Sequence, residues 1–238
     1  VNGVPSSHIV PGEPERLDFS YMRWIAAAIE ETRSWEKPRL THLGGAGCSL
    51  PRYFAHVWPH SRNTVVEWDM DLAQLAREKF DIPRSPLVKI RVGDAREVTD
   101  GFVDASRDVI IRDVFESATT PRSLTTLPFY LSCLRSLSST GLYVANCGSR
   151  GDLTEAREEL AGMAEVFPHL AVIADPPMLK GRRYGNIILL GSQSEIRETP
   201  ELTRRLLGGG VPAHFKDDAW ARAMAASATP RDDVDADA

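Results

Sequence analysis

The sequence has little that would tie it to a membrane, to the outside of a cell or to a nucleic acid. Among 238 residues no apolar run approaches the roughly 20 that a membrane span needs, and no basic and then apolar opening marks a secretory signal. Cysteine is scarce. Cys48, Cys133 and Cys147 form no CxxC pair and no disulfide framework, which fits a reducing compartment and an expected cytoplasmic location. Charge of one sign is lacking too. Of the net charge of −5, three units fall on the last ten residues, and the body near −2 carries no electrostatic footprint for nucleic acid or an anionic membrane. What is there is 42% hydrophobic and 26% charged, enough to bury a core and to exclude a disordered or fibrous chain.

Residues 1–16, with Pro5, Pro11 and Pro14, read as an extended arm. From about Leu17 to Arg33 the positions Phe19, Met22, Ile25, Ala26 and Ile29 recur at helical spacing, which predicts an amphipathic helix with Tyr21 and Trp24 partly exposed. Beyond Pro38 short apolar runs (Leu40–Leu43, Thr64–Trp68, Leu87–Val92, Val109–Ile111, Leu142–Ala145) alternate with helical patterns, as a parallel sheet with crossover helices requires. Then Leu170–Ala174 and Asn186–Leu190 follow each other with no helix between, which predicts an antiparallel hairpin at one edge. The expectation is an α/β fold with a seven-stranded, mostly parallel sheet in one domain over 17–206. After it come a linker and short helix over 207–228 and a disordered acidic tail over 229–238.

Three strand ends carry chemistry. After the first strand, Gly44-Gly45-Ala46-Gly47 lets the backbone pass close to a ligand with no Cβ in the way; Leu50 stands where a dinucleotide fingerprint wants its third glycine. Glu67, about 20 residues on, ends the second strand where an acid can hold a ribose diol. Asp94 and Ala95 follow the third strand, where a carboxylate can accept from the exocyclic amine of adenine. Together they predict an adenosine site. Asp113 and Glu116 follow the fourth strand, beside the place a sulfonium would occupy, and could hold a cationic acceptor and take its proton. His56 and His60 lack partners at ligand spacing, so no metal is expected.

These stretches, with Val66-Glu67-Trp68-Asp69, Asp113-Val114-Phe115-Glu116, Leu124-Thr125-Thr126 before Phe129-Tyr130, and Gly141-Leu142-Tyr143-Val144, resemble the spermidine synthase (polyamine aminopropyltransferase) family over about residues 17–192. The likeness is closest to a spermidine-synthase-like branch of high-GC bacteria. It implies a class I S-adenosylmethionine-methyltransferase-like Rossmann fold, with Gly44, Gly45, Gly47, Glu67, Asp94 and Ala95 holding an adenosyl sulfonium donor (decarboxylated S-adenosylmethionine or S-adenosylmethionine). It makes Asp113 the base and assigns Asp18, Tyr21, Glu116 and Tyr130 to a putrescine-like diamine, with residues 116–123 expected to form a lid and the chain expected to form a homodimer. The sequence departs from the family's Gly-Gly-Gly-Asp-Gly-Gly loop at Ala46 and Cys48-Ser49 and from its Asp-Ser-Ser-Asp-Pro motif at Val114, Phe115, Glu116 and Ser117. The family's small N-terminal β domain is expected to be missing or reduced. An S-adenosylmethionine-dependent methyltransferase and a non-catalytic homologue that binds adenosyl ligands remain alternatives.

Overall fold

A computed structural model of the chain describes residues 6–45, 47–116 and 119–233. Its strands are β1 (Arg39–Leu43), β2 (Arg62–Glu67), β3 (Val88–Val92), β4 (Arg107–Arg112), β5 (Leu137–Ser149), β6 (His169–Ala174), β7 (Gly185–Ser192) and β8 (His214–Lys216). The helices are α1 (Ser20–Thr32), α2 (Ser49–Val57), α3 (Met70–Lys79), α4 (Ala95–Asp100), α5 (Leu127–Ser136), α6 (Thr154–Val166), α7 (Pro176–Leu179), α8 (Pro200–Leu207) and α9 (Asp218–Ala225). The strands form a sheet of order β3-β2-β1-β4-β5-β7-β6-β8, parallel from β3 to β5 and antiparallel beyond.

The alternation of side chains along each strand divides the core into two layers. On β5, Leu142 and Val144 face the layer that also holds Ile25, Ile29, Leu202 and Leu206 of α1 and α8. Tyr143, Ala145 and Cys147 face the opposite layer, with Phe129, Tyr130, Leu160 and Met163 of α5 and α6. Continuous apolar runs in the central strands are what burial on both faces demands. Trp24 is buried rather than partly exposed, because α1 lies flat on the sheet and not along a solvent edge.

Two expectations are corrected here. Among the described residues the sheet has eight strands, not seven, because His214–Lys216 pairs with β6 at Val172, Ile173 and Ala174. Residues 207–228 are thus part of the body, and α9 buries Ala221 and Ala225. The three residues of β8 are too few to show a strand period in sequence. The second correction concerns the tail. Arg231 pairs with Thr126, accepts from the Leu127 N–H at 2.9 Å, and its guanidinium reaches Thr125 and Glu158. Asp233 takes two bonds from Arg96, at 2.8 and 2.6 Å, and one from Thr126 Oγ1 at 2.7 Å. Polar bonding to backbone and side chains, not apolar burial, ties residues 231–233 down; residues 234–238 lie outside the described part.

The chain's crossing from β3 back to β4 places the reversal of strand order between the parallel strands β1 and β4, whose registered ends are Leu43 and Arg112. Open α/β sheets bind ligands in the crevice at such a point.

The tail contacts give a stability test. Arg96 holds the Asp233 carboxyl below the usual carboxylate range, helped by Thr126. Asp233→Asn should therefore cost about 1 kcal/mol near neutral pH, a Tm drop of about 2–4 °C. A depressed carboxylate stabilises above its unfolded value, so the gap between variant and wild type should close as the pH falls through the folded one. Thermal melts at neutral and acid pH check both.

Candidate functional site

The site grows from Gly44, the residue after β1. Its φ is +85°, and a Cβ there would overlap the Asp113 carbonyl oxygen and lie 2.9 Å from its carbon. The Gly44 N–H donates to Val66 O at 2.9 Å, and the Asp113 N–H donates to Leu43 O at 2.9 Å, so the turn is stitched to both neighbouring strands. A Cβ on Gly45 would lie 2.6 Å from Val65 Cγ1, and the Gly45 N–H donates to Glu67 Oε2 at 3.0 Å. Oε1 of Glu67 accepts from the Asp69 N–H at 3.1 Å. The carboxylate is thereby held with an amide on each oxygen, and two carboxylate oxygens are the acceptors that a vicinal diol needs.

Gly47 differs from the sequence expectation. Its N–H donates to Ser7 Oγ at 3.1 Å, and a Cβ there would lie 2.8 Å from Ser7 Cβ. The arm, not a ligand, takes that amide. Cys48 is buried with its thiol pushed up to about 12, first by desolvation, so it packs and does not react.

Gly93 levels the next station by donating its N–H to Glu67 O at 3.0 Å. Asp94 caps α4, its Oδ1 accepting from Arg96 N and Glu97 N at 2.8 and 3.0 Å; Oδ2 accepts from neither. Ala95 is the first residue of that helix. Trp68 is 79% exposed beside Glu67, and Val92 is exposed at the end of β3, so this rim offers apolar surface next to two carboxylates.

Asp113 closes the site on the other side. Its Oδ2 accepts from the Tyr21 hydroxyl at 3.0 Å and its Oδ1 from Asn146 Nδ2 at 2.8 Å. Asn146 Oδ1 in turn accepts from Asn186 Nδ2 at 2.9 Å. Burial raises the Asp113 carboxyl above the usual carboxylate range, although both donors and the Arg112 charge oppose it. The Tyr21 hydroxyl is also pushed up, first by burial and then by Asp113, so it stays a donor. A carboxylate with raised proton affinity, held by two neutral donors, is suited to accept a proton.

The structure thus brings Gly44, Gly45, Glu67, Asp94, Ala95, Tyr21 and Asp113 to one row of strand ends. It does not bring all the expected residues there. Tyr130 is completely buried among Phe129, Tyr143 and Phe167, with its hydroxyl on Glu159 at 3.4 Å, because it lies on the inward face of α5. Asp18 is exposed and bonds within the arm, to Arg16 at 3.1 Å and to His8, rather than in the Asp113 network. Glu116 is exposed at the base of a short bridge to Thr119; of the expected lid, residues 117 and 118 lie outside the described part. Asn146 and Asn186 were missed by the sequence reading. The available signal was a polar residue right after the apolar run Leu142–Ala145, and another opening Asn186–Leu190.

No family model matches the chain. Among curated proteins it is 30% identical over 157 residues to the polyamine aminopropyltransferase of Vibrio vulnificus (strain CMCP6), a match covering 65% of this chain and 51% of the relative. The chain therefore spans about half the length of that relative. Its fold is shared with human methyltransferase-like protein 13, solved in complex with SAH, at TM-score 0.65 and 24% identity over 79% of this chain and 89% of that one. A probable spermidine synthase from Corynebacterium glutamicum ATCC 13032 superposes at TM-score 0.93 with 60% identity, covering 97% of this chain and 86% of that chain. An identity of that extent, on a fold whose strand ends carry Gly44, Glu67, Asp94 and Asp113 in this order, shows that the chain belongs to the spermidine synthase family.

Proposed function

We propose that the protein transfers an aminopropyl group from decarboxylated S-adenosylmethionine to putrescine or a related diamine in the cytoplasm. The observation that carries this reading is the Asp113 carboxylate, held by Tyr21 and Asn146 at the switch point, directly against the glycine turn that leads to Glu67. The names of the Corynebacterium and Vibrio relatives point the same way.

In this reading Glu67 holds the ribose hydroxyls, and Asp94 Oδ2 accepts from the adenine amine. That leaves the sulfonium near Asp113. The acceptor nitrogen forms a bond to the propyl carbon while the carbon–sulfur bond breaks, and methylthioadenosine leaves as a neutral thioether. A protonated alkylamine has no free lone pair, so a proton must go to a base, and Asp113 is that base. Tyr21 and Asn146 keep its oxygens in place, and Glu116 pairs with the far ammonium of the acceptor. The free thiols Cys48, Cys133 and Cys147, all buried, suit a reducing cytoplasm.

Methylthioadenosine at a hundred times its Kd should add about 2.7 kcal/mol and raise Tm by several degrees. Glu67→Gln should weaken binding about tenfold through the lost charge-assisted bond. Differential scanning fluorimetry reads both, and no shift in the wild type at millimolar ligand would contradict the donor site. Titration calorimetry should find the decarboxylated donor preferred; preference for S-adenosylmethionine instead would favour a methyltransferase.

Asp113→Asn should cut transfer to putrescine by about 10²–10⁴-fold while methylthioadenosine still shifts Tm. Because burial raises this carboxyl, ionising it costs stability as the pH rises, so the neutral variant should melt no lower than the wild type at pH 7. Glu116→Gln should raise the acceptor KM with little change in kcat. Coupled steady-state assays with several diamines check these values, and a wild type that binds the decarboxylated donor yet transfers to none of them contradicts the reading.

A further inference from the structure

Asn146 and Asn186 lie outside every role assigned above to the donor or the acceptor, yet they form one continuous line into Asp113. They sit on neighbouring antiparallel strands. Asn146 of β5 is registered against Ile188 of β7, and Asn186 against Gly148, so the two asparagines are diagonal neighbours on one face of the sheet. Asn146 is fully buried and Asn186 half-buried.

The two bonds of Asn146 select one orientation of its amide. With Nδ2 toward Asp113, it donates to Oδ1 at 2.8 Å, and its own Oδ1 accepts from Asn186 at 2.9 Å. Turned over, the amide would set its oxygen against the carboxylate oxygen and its NH₂ against the NH₂ of Asn186. Both contacts would then be repulsive. The backbone is held as well, because Asn146 O accepts from the Arg112 guanidinium at 3.1 Å. We infer that Asn146 and Asn186 are a coupled pair of positioning residues: Asn186 locks the direction of the Asn146 amide, and that direction sets the proton affinity of Asp113. The inference rests on the reading of Asp113 as the base for its catalytic meaning, but not for its measurement.

The charged or titratable groups acting on Asp113 are Tyr21 of α1 and Arg112 of β4, the latter paired with Glu159 of α6. The strands β5 and β7 present the two asparagines, which are neutral at every pH of interest. Replacing an asparagine therefore changes no charge; water entering the space left would lower the Asp113 midpoint, whereas loss of the hydrogen bond raises it, so the sign of the shift separates the two. A donor that favours the ionised carboxylate lowers its proton affinity, so losing the donor raises it.

The test is the titration of Asp113 itself. Carbon-13 NMR on protein labelled at the aspartate carboxyls follows each side chain, and the Asp113 signal is assigned by its loss in Asp113→Asn. Asn146→Ala should move the Asp113 midpoint up by about one to two pH units, the size expected for one bond to a charged group. Asn186→Ala, at a half-buried position that tolerates truncation, should move it up by less. The double variant should move it no further than Asn146→Ala alone, because Asn186 acts through Asn146. In the transferase assay, the acid limb of kcat/KM should follow the same order.

An unmoved midpoint in Asn186→Ala, or additive shifts in the double variant, would overturn the pairing. The titration needs no turnover, so the two readings fail separately. Coupled midpoints in a protein that transfers nothing support the pairing and contradict the proposed function. A transferase with independent midpoints does the reverse.

Discussion

Nothing larger than hydrogen fits at position 44, where a Cβ would overlap the carbonyl of Asp113. That contact joins the ends of the two strands that border the switch point. With Gly44 in the left-handed region, the chain leaves β1 and turns under the end of β4, so Gly45 reaches the carboxylate of Glu67. Asp113 is fixed from the same place, its N–H bonded to Leu43. The spacing of Gly45, Glu67 and Asp113 follows from this close passage of backbone.

The second constraint lies beneath the site. Arg112, next to Asp113 on β4, is completely buried and paired with Glu159 at 2.9 Å. Desolvating two charges is costly, and such pairs hold together because removing either partner strands the other. Here the guanidinium also reaches the Asn146 carbonyl, so the pair ties α6 to β5 just where Asn146 meets Asp113. Its positive charge opposes the effect of burial on the Asp113 carboxyl. Burial thus raises the proton affinity of Asp113, while the bonds from Tyr21 and Asn146 and the Arg112 charge pull the other way.

How much of this was legible in the sequence depended on the kind of signal. Glycine spacing, strand-end acids and strand–helix alternation are local, and they placed Gly44, Glu67, Asp94 and Asp113 at strand ends and gave the class of fold. The resemblance supplied Tyr21, which the structure does bring to Asp113. Tyr130 was misplaced because its motif gives a position on a helix but not the face that turns inward. Asp18 bonds to His8 and Arg16 instead of joining the Asp113 network, because those partners come from an arm whose path no periodicity records. The eighth strand and the docked Arg231–Asp233 depend on pairings between residues 40 or more apart in the chain. The asparagine pair is of the same kind, since it exists only through the register of β5 with β7.

The central claim is that the strand-end row from Gly44 to Asp113 holds an adenosyl group with its sulfur beside the Asp113 carboxylate. A crystal structure of the protein with methylthioadenosine tests it most directly. The account predicts both ribose hydroxyls on Glu67, the adenine edge at Asp94 and Ala95, and the sulfur facing Asp113 with the Tyr21 and Asn146 bonds intact. A ligand bound elsewhere, or one in this crevice whose ribose does not touch Glu67, would contradict it.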